Sequence, residues 1–326
     1  MDCCDVSMRY LIFGGTGSLA KVLIERILKD KKGFVFAFSR SEEKHVKIRQ
    51  QFPEIQTIIG DIRDYDSVLN AIIDICPTHI IQAAALKNVP ECEEFPLEAI
   101  KTNLLGSQNI VKAVENYIPY RTRMSDLKIL SISTDKACKP VNAYGMTKAL
   151  QEKIHLRGKR AIFNCVRYGN VLESRGSVIP FFKDKLEKGE KLPITDPNMT
   201  RFLMSLDQSV NLIFKALEDY EGGKIFIPKI GSAKIIDLAE VMLEHYKLPA
   251  DHVEYVGIRP GEKINESLIS EEEIYRTQEL DDVFVVHDIL KKVKYDDLEE
   301  EYSSGDPRYL MSKHKLKAFL KKHGVI

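Results

Sequence analysis

The sequence predicts an α/β protein with a doubly wound parallel sheet at its core and a smaller second lobe. In the first half of the chain, short apolar runs alternate with longer segments in which apolar residues repeat at helical spacing. The apolar runs have no polar face, which is typical of parallel strands that helices cover on both sides. A glycine-rich turn lies directly between the first run and the first periodic segment.

The alternating pattern predicts six strands and the helices that connect them. The predicted strands are residues 9–13, 34–38, 57–59, 79–84, 127–133 and 161–167. After the first strand, Leu19, Leu23 and Ile27 repeat at helical spacing. Later helices are predicted at residues 41–51, 65–75, 97–116 and 143–156.

Beyond Gly169 the pattern changes to loops rich in glycine, serine and proline, with short helices and isolated strands such as residues 224–228. We expect loops at residues 174–180 and 194–200. The predicted first domain is residues 1–168, and residues around 203–224 are expected to return to it. The rest of residues 169–326 is expected to form a smaller, discontinuous lobe over the carboxyl ends of the strands, together with the C-terminal tail.

Composition and charge exclude several classes of protein. The 326 residues include 48 Lys and Arg and 48 Asp and Glu, so no excess charge favours nucleic acid or a membrane surface as a partner. No apolar stretch approaches the roughly 18–20 residues of a membrane-spanning helix. The six cysteines form no C-x-x-C pair, and the histidines show no zinc-binding spacing. We therefore expect a cytoplasmic protein without a bound metal.

The turn after the first strand has the features of a dinucleotide-binding loop. Its glycines let the backbone turn tightly and approach a pyrophosphate, and the next helix directs free amides and the positive end of its dipole at that anion. The strand before the turn and the helix after it predict a Rossmann-type dinucleotide-binding domain in residues 1–168. The residues expected to contact the cofactor here are Gly14, Thr16, Gly17, Ser18 and Leu19.

The end of the second strand indicates which dinucleotide binds. NAD-specific sites usually place an acidic residue there for the ribose 2′-hydroxyl, whereas this chain has Ser39 and Arg40. Because a guanidinium makes charge-assisted hydrogen bonds to a phosphate, we predict NADP in preference to NAD. Asp61 and Ile62, after the third strand, are expected to frame the adenine. The residues expected at the middle of the cofactor are Ala84, Ala85 and Lys87.

Two residues of a predicted helix form a candidate base. Tyr144 and Lys148 lie four residues apart, so their side chains share one face of the helix. A lysine ammonium beside a phenol favours the phenolate and lowers the pKa of the phenol from about 10 towards the working range. We therefore expect Tyr144 to take a proton from a substrate hydroxyl while hydride leaves the same carbon.

The end of the fifth strand carries Thr134, Asp135 and Lys136. Ligands of open α/β sheets bind beyond the carboxyl ends of the strands, so these side chains are expected to point at the ligand. Thr134 is suited to hydrogen-bond the reacting hydroxyl. Asp135 and Lys136 form an adjacent acid and base that simple oxidation of a hydroxyl does not need. The alternative, a helix N-cap beside a surface lysine, is weakened by the nearby Tyr144 and Lys148.

Several motifs support a wider resemblance: GGTGSLA (14–20), AAALKNVPECEEFPLEAIKTNLLGSQN (83–109), STDKACKPVNAYGMTK (133–148), RYGNVLESRGSVIP (167–180), TDPNMTRF (195–202) and GIRPGEKINESLIS (257–270). With them the chain resembles the extended short-chain dehydrogenase/reductases, and among these the soluble UDP-N-acetylglucosamine 4,6-dehydratase/5-epimerases of bacterial surface-sugar pathways. Related glucose dehydratases carry Glu in place of Lys136, and the lysine marks the acetamido-sugar branch. Tyr144 indicates a subgroup that keeps the phenol, since some members have Met there.

The resemblance implies an NADP-dependent 4,6-dehydration of UDP-N-acetylglucosamine with inversion at C5. Tyr144 deprotonates the C4 hydroxyl as hydride passes to NADP⁺. Lys136 is placed to remove the C5 proton if it is neutral, and burial near Lys148 is expected to lower its pKa in that direction. Asp135 protonates the departing C6 hydroxyl. Hydride returns to C6, which regenerates the cofactor and leaves a UDP-2-acetamido-2,6-dideoxy-4-keto-L-hexose for surface-polysaccharide or glycan biosynthesis.

The resemblance also implies how substrate and neighbouring subunits bind. Arg259 and Glu262 match family positions that hold the UDP moiety, and Asn170 and Thr195 match other substrate contacts. The further candidates are Lys87, Arg175 and Arg201. For the two arginines, a structural salt bridge is an equally good explanation. Family members assemble through helices that flank the sheet, so a homodimer or homohexamer is expected.

Three alternatives stay open at this point. A UDP-sugar 4-epimerase needs Tyr144 and Lys148 but gains nothing from Asp135 and Lys136. A second alternative is the same dehydration with retained configuration at C5. The third is a non-catalytic NADP-sensing or scaffold protein, which is expected to lack part of this catalytic set.

Overall fold

The structure of the protein is a computed structural model, which describes residues 7–117, 127–174 and 176–326. Within these residues, nine strands form the central sheet: β1 (Arg9–Phe13), β2 (Phe34–Ser39), β3 (Gln56–Ile59), β4 (His79–Gln82), β5 (Lys128–Thr134), β6 (Ile162–Tyr168), β10 (Lys224–Pro228), β14 (Thr277–Glu279) and β15 (Val283–His287). Shorter strands form smaller sheets: β7 (Asn170–Val171), β8 (Leu192–Ile194), β9 (Thr200–Met204), β11 (Ser232–Lys234), β12 (Val253–Tyr255), β13 (Ser267–Ile269) and β16 (Tyr302–Ser303).

The helices lie on both sides of the sheet and in the second lobe. They are α1 (Ser18–Lys29), α2 (Glu42–Gln51), α3 (Tyr65–Ile75), α4 (Val89–Glu94), α5 (Pro96–Ala99), α6 (Gly106–Tyr117), α7 (Ala143–His155), α8 (Val178–Glu187), α9 (Leu206–Leu217), α10 (Ile235–Tyr246) and α11 (Lys313–Lys322). A π-helical segment, Ile100–Leu105, joins α5 to α6, and 3₁₀ turns cover Asp135–Ala137 and Glu271–Arg276. In the described parts of the chain, no helix is long and apolar enough to cross a membrane.

The central sheet has the strand order β14-β15-β10-β6-β5-β4-β1-β2-β3. From β3 to β10 all neighbouring strands pair in parallel. Beyond β10, β15 pairs antiparallel with β10, and β14 pairs antiparallel with β15. The predicted Rossmann-type α/β fold is therefore confirmed. The antiparallel pair at one edge is a feature that the sequence analysis did not include.

Most predicted elements lie where the sequence analysis placed them, with ends that differ by one or two residues. The helix predicted at 97–116 is present but contains the π-helical segment. One expectation is wrong: residues 174–180 are not all loop, since α8 begins at Val178. Pro180 does not prevent this because it lies in the first turn, where backbone N–H groups have no partner inside the helix.

Both faces of the sheet are covered because successive residues of a strand point to opposite sides. In β1, Tyr10 and Ile12 pack in an apolar cluster with residues of α1, α2 and α9. Leu11 and Phe13 pack in a second cluster with residues of α3 and α6. All four side chains are buried. This two-sided burial explains why the strand sequence is apolar throughout.

A third apolar cluster lies away from the central sheet. It joins α8, α10 and α11 with β8 and includes Phe182, Met242 and Leu316. By contrast, α9 comes later in the chain than α8 but packs against α1, β5 and β6. The chain thus passes from the sheet to the second lobe and back. The division of the chain at residues 168 and 169 stays a prediction.

The guanidinium of Arg167, near the end of β6, is buried between two carboxylates. It donates to both oxygens of Glu152 in α7, at 2.9 and 2.6 Å, and to both oxygens of Glu273, at 2.7 and 3.0 Å. Glu152 also accepts a hydrogen bond of 2.5 Å from Ser133 near the end of β5. Buried charges are tolerated when they are paired and hydrogen-bonded in this way. The group therefore fixes β5, β6, α7 and the Glu271–Arg276 turn relative to one another.

We expect Arg167→Ala to lower the free energy of unfolding by about 3–5 kcal/mol, because it leaves Glu152 and Glu273 buried without their cation. Urea denaturation followed by circular dichroism measures this loss. Arg308→Ala is the matched control, since Arg308 also contacts two carboxylates but its side chain is more than half exposed. We expect a much smaller loss there. Equal losses in the two variants would show that the buried group does not hold the fold together.

Candidate active site

A cavity of about 650 Å³ opens at the carboxyl ends of the parallel strands, which is where open α/β sheets bind ligands. Residues that end or follow the strands β1 to β6 line it in turn: Gly14, Ser39, Gly60, Ala83, Thr134 and Tyr168. Helices α1, α2 and α7 contribute further side chains to the wall. Among the described residues, no group of three or more His, Cys, Asp or Glu side chains is placed to hold a metal ion.

The cavity brings together most of the residues that the sequence analysis selected. Those that line it are Gly14, Thr16, Gly17, Ser18, Leu19, Ser39, Arg40, Ile62, Ala84, Ala85, Lys87, Thr134, Asp135, Lys136, Tyr144, Lys148 and Asn170. The selected residues that are not part of its wall are Asp61, Thr195, Arg201, Arg259 and Glu262. Arg175 lies outside the described residues.

The glycine turn has the shape that a close approach to an anion requires. Gly14 has a φ of +82°, and a Cβ there would lie 2.7 Å from the backbone nitrogen of Ala84. Gly17 is the N-cap of α1 and offers no side chain to the amides of the first turn. These amides and the helix dipole are therefore left for a ligand, which fits the pyrophosphate of a dinucleotide.

The side chains at the end of β2 form the next part of the wall. Ser39 Oγ accepts a hydrogen bond of 3.2 Å from Thr16 and lies 2.6 Å from Nε2 of the buried His45. The side chain of Arg40 is about half exposed, with Nη1 3.7 Å from a carboxylate oxygen of Asp61. Lys44, in the first turn of α2, also lines the cavity and adds a second cation. The sequence analysis missed Lys44, although the residue lies in the first turn of the helix predicted to follow Arg40.

Asp61 lies beside this region but is held by another residue. Arg63 donates hydrogen bonds to the Asp61 carboxylate, from Nε at 2.9 and 3.1 Å and from Nη2 at 2.6 Å. Ile62, the next residue after Asp61, is buried and lines the cavity. The expected contact of Asp61 with an adenine stays a prediction, and Ile62 is the better placed of the two.

Tyr144 and Lys148 both line the cavity, but they do not form the activated pair that we expected. Burial raises the pKa of the Tyr144 phenol, and a hydrogen bond with Thr134 only partly offsets this. The Nζ of Lys148 donates to the backbone oxygen of Ile132 at 2.5 Å and to the side-chain oxygen of Gln151 at 2.7 Å. Burial lowers the pKa of Lys148 to about 8. The expectation that Lys148 lowers the pKa of Tyr144 is therefore wrong for this state of the protein.

Asp135 and Lys136 are paired at the end of β5. The Nζ of Lys136 lies 3.1 Å from Oδ1 of Asp135 and 3.5 Å from Oε1 of Glu266, and both carboxylates are almost completely buried. Burial acts to lower the pKa of Lys136, but the two carboxylates outweigh it and raise the pKa. The expectation that Lys136 is neutral because its pKa is lowered is therefore wrong here. Glu266, the second of these two carboxylates, was not found from the sequence.

The loop at residues 257–263 packs against the catalytic segment. The side chain of Asn142, which caps α7, donates to the backbone oxygen of Gly261 at 2.8 Å. The Nζ of Lys263 donates to the backbone oxygen of Cys138 at 3.1 Å. Within the loop, the Arg259 backbone N–H donates to a carboxylate oxygen of Glu262 at 3.4 Å. Arg259 and Glu262 therefore lie near the cavity without lining it.

The remaining two selected residues lie in or directly after the short strands β9 and β8. Arg201, in β9, is buried and donates to the backbone oxygens of Thr200 and Ile264, at 2.7 and 3.1 Å. It thus holds the chain that leads into Glu266. Thr195 is half-buried and directly follows β8.

Relatives of this chain carry two different enzyme names. The UDP-N-acetylglucosamine 4,6-dehydratase (inverting) of Campylobacter jejuni subsp. jejuni is 40% identical over 297 residues, which cover 88% of this chain and 84% of that protein. A UDP-glucose 4-epimerase of Rickettsia bellii is 38% identical over 287 residues, which cover 84% and 81%. A protein of Methanocaldococcus jannaschii, named as an uncharacterized membrane protein, is 39% identical over an alignment of 330 positions, which spans 95% of this chain and 94% of that protein.

Solved structures show the same fold. Pen from Bacillus thuringiensis superimposes with a TM-score of 0.88 at 33% identity and covers 98% of both chains. DesIV, a dTDP-glucose 4,6-dehydratase from Streptomyces venezuelae solved with NAD and TYD bound, gives a TM-score of 0.69 at 18% identity over 79% of this chain and 87% of that one. Residues 10–288 match the family described as "Polysaccharide biosynthesis protein". This chain therefore belongs to that family of extended short-chain dehydrogenase/reductases, as its motifs predicted.

Proposed function

We propose that this chain is a cytoplasmic enzyme that catalyses the NADP-dependent 4,6-dehydration of UDP-N-acetylglucosamine with inversion at C5. The product is a UDP-2-acetamido-2,6-dideoxy-4-keto-L-hexose for surface-polysaccharide or glycan biosynthesis. One observation carries the proposal: the paired Asp135 and Lys136 share a cavity with Tyr144 and the glycine turn. Oxidation of a hydroxyl needs only Tyr144 and its helix, whereas elimination of water also needs an acid and a base. The activity named for the Campylobacter relative supports this assignment.

The residues of the cavity fit NADP. The glycine turn and the first amides of α1 would hold the pyrophosphate, and Ser39, Arg40 and Lys44 would hold the 2′-phosphate. Two cations at this point suit a phosphate better than a ribose hydroxyl, and they are the reason to prefer NADP over the NAD present in DesIV. The bound cofactor supplies the chemistry of accepting a hydride and returning it.

Tyr144 acts on the C4 hydroxyl. Because burial keeps its phenol protonated, Tyr144 becomes a base only when a cation stabilises the phenolate. Lys148, one turn along α7, is the cation that the helix places on the same face. Thr134, which is hydrogen-bonded to Tyr144, orients the phenol and the substrate hydroxyl.

Asp135 and Lys136 carry out the elimination as a pair. Their 3.1 Å contact allows one proton to pass from the Lys136 ammonium to the Asp135 carboxylate. This single transfer produces both groups that the reaction needs, a neutral amine and a carboxylic acid. The amine then takes the C5 proton, and the acid gives its proton to the C6 hydroxyl, which leaves as water. The raised pKa of Lys136 thus describes the resting state of the pair and not its reactive one.

The nucleotide of the substrate is assigned to the loop at residues 257–263. Arg259 is suited to the diphosphate and Glu262 to the ribose hydroxyls. Contacts of this loop with Asn142 and Cys138 support the assignment, because they hold it beside the catalytic segment. The remaining proposed substrate contacts are Lys87, Asn170, Thr195 and Arg201.

A UDP-sugar 4-epimerase is the second candidate, because the Rickettsia relatives carry that name at similar identity. An epimerase returns the hydride to C4 and removes no proton from C5. It therefore has no use for the buried Asp135–Lys136 pair. Retention at C5 and a non-catalytic NADP-sensing protein are the remaining alternatives, and one experiment separates all four.

The exposed side chains of the flanking helices support a homo-oligomer, a dimer or a hexamer. Leu97, Leu105, Met146 and Leu150 are each more than 40% exposed, and they lie on α5, the π-helical segment and α7, which contact one another. Exposed apolar side chains on adjoining helices are a feature of surfaces that a second subunit covers. Sedimentation of the chain as a monomer at micromolar concentration would contradict the oligomer.

Incubation with UDP-N-acetylglucosamine in D₂O, followed by NMR, tests the function. We expect a product that lacks the C6 oxygen and carries deuterium at an inverted C5. A product that differs only at C4 indicates the epimerase, and deuterium at an unchanged C5 indicates the retaining enzyme. No turnover by a protein that binds NADP indicates the sensor.

In the same assay, Lys136→Ala is expected to slow elimination by at least about 100-fold, since it removes the base, while the Kd for NADP⁺ is unchanged. Lys139→Ala is the matched control, because Lys139 lies three residues further along and pairs with Glu271 and Glu301 outside the cavity. Equal loss of elimination in both variants would rule out a specific role for Lys136.

Arg40→Ala is expected to weaken NADP⁺ binding by about 10- to 100-fold, because it removes a charge-assisted contact to the 2′-phosphate. NAD⁺ binding is expected to change little. Isothermal titration with both cofactors measures the two constants. Lys47→Ala, which removes an exposed cation of the following helix α2, controls for the general loss of positive charge. Tighter binding of NAD⁺ than of NADP⁺ to the unaltered protein would overturn the assignment of Arg40.

A further inference from the structure

Four charged side chains form a continuous line from the loop at residues 257–263 to the end of β5. The Nζ of Lys263 lies 2.7 Å from Oε2 of Glu266. The other oxygen of Glu266 lies 3.5 Å from Nζ of Lys136, and this nitrogen lies 3.1 Å from Oδ1 of Asp135. Glu266 is thus shared between two lysines, and Lys136 between two carboxylates.

Hydrogen bonds with Ser304 fix the backbone of Glu266 in place. The backbone N–H of Glu266 donates to Oγ of Ser304 at 2.9 Å, and the backbone N–H of Ser304 donates to the backbone oxygen of Glu266 at 2.8 Å. Ser304 Oγ in turn lies 2.7 Å from the hydroxyl of Thr200 in β9. Glu266 is 2% exposed, so water does not compete with its two cations.

The charges that face Lys136 come from three segments of the chain. Asp135 and Glu266 favour its ammonium form, and Arg201 disfavours it. Lys263 acts through Glu266, because it takes part of the negative charge that would otherwise face Lys136. Two lysines therefore compete for one carboxylate, and removing either cation strengthens the hold of Glu266 on the other.

We propose that Glu266 is a positioning residue that holds the Lys136 amine against Asp135, and that Lys263 limits how strongly it does so. This proposal rests on the proposed function for its consequence in catalysis, since it concerns the group assigned to remove the C5 proton. Glu266 does not line the cavity, so it acts on the site through Lys136, which does. It also joins the loop assigned to the nucleotide with the group assigned to the sugar.

Two variants, one at Glu266 and one at Lys263, test the proposal, because only the first is expected to lower the pKa of Lys136. Glu266→Gln keeps the shape of the side chain but removes its charge, and we expect the pKa of Lys136 to fall by about one to three units. Lys263→Gln removes the competing cation, so Lys136 is expected to keep its proton to at least as high a pH as in the unaltered protein. If Glu266 had a purely structural role, the two variants would not differ in their effect on the pKa of Lys136.

NMR of protein labelled with ¹³C at the lysine ε-carbon measures this titration directly, and Lys136→Gln identifies the signal. Glu301→Gln is the matched control, because Glu301 pairs with Lys139 and does not contact Lys136. An unchanged Lys136 pKa in Glu266→Gln, or the same fall in Glu301→Gln, would overturn the proposal. If Glu266→Gln does not fold, Glu266→Asp draws the carboxylate back and is expected to give a smaller fall in the same direction; no fall there also overturns it.

The titration does not depend on any activity, so it separates the two proposals. If the unaltered protein fails to dehydrate UDP-N-acetylglucosamine, the proposed function is wrong, whereas the NMR result still decides the role of Glu266. If it does dehydrate the sugar, the limb of the kcat profile that falls as the pH rises is expected at lower pH in Glu266→Gln, because the Lys136–Asp135 pair then loses its one shared proton at lower pH. The Kd for NADP⁺ is expected to stay within about twofold, because Glu266 lies outside the cofactor part of the cavity. A fall in kcat with no shift of this limb would contradict the proposal.

Discussion

A guanidinium buried in the interior of a protein keeps its charge and needs carboxylate partners, and the partners of Arg167 determine how the segments of the site are arranged. Its two carboxylate partners come from α7 and from the turn after β13. The same helix carries Tyr144 and Lys148, and the turn follows shortly after Glu266. Because Glu152 also binds Ser133, the strand end before Thr134 belongs to the same group. Residues distant in the chain are thus held at one position before any ligand arrives.

The sheet could be predicted because its strands are buried on both faces and read as continuous apolar runs. The sequence analysis missed the antiparallel strands β14 and β15 and the start of α8. Short strands and a helix that begins Val-Ile-Pro do not produce a clear apolar run or a helical repeat. The cavity could be predicted from residues at successive strand ends, such as Gly14, Arg40 and Thr134. Glu266 could not, because its contact with Lys136 joins positions far apart in the chain, and spacing carries no information about such pairs.

The protonation states were the least predictable part of the site. A lysine near a tyrosine in sequence suggests a lowered phenol pKa, but the direction depends on where the ammonium points. Here Lys148 is turned to Ile132 and Gln151, and burial dominates at Tyr144. For Lys136 burial is outweighed by two carboxylates, one of them remote in sequence. Local motifs identified which groups take part, whereas the long-range packing determines which of them holds the proton.

The place of β10 in the sheet has a consequence for how the protein is made. β10 pairs with β6 on one side and with β15 on the other, although β7 to β9 and the helices around them lie between β6 and β10 in the chain. A nascent chain that has completed β6 therefore presents an open, apolar strand edge until β10 is synthesised, and β10 presents the next one until β15 appears. Open edges of this kind template pairing between chains. Because this strand pairing is long-range and is completed late in the chain, folding is slowed and the open edges stay exposed for longer.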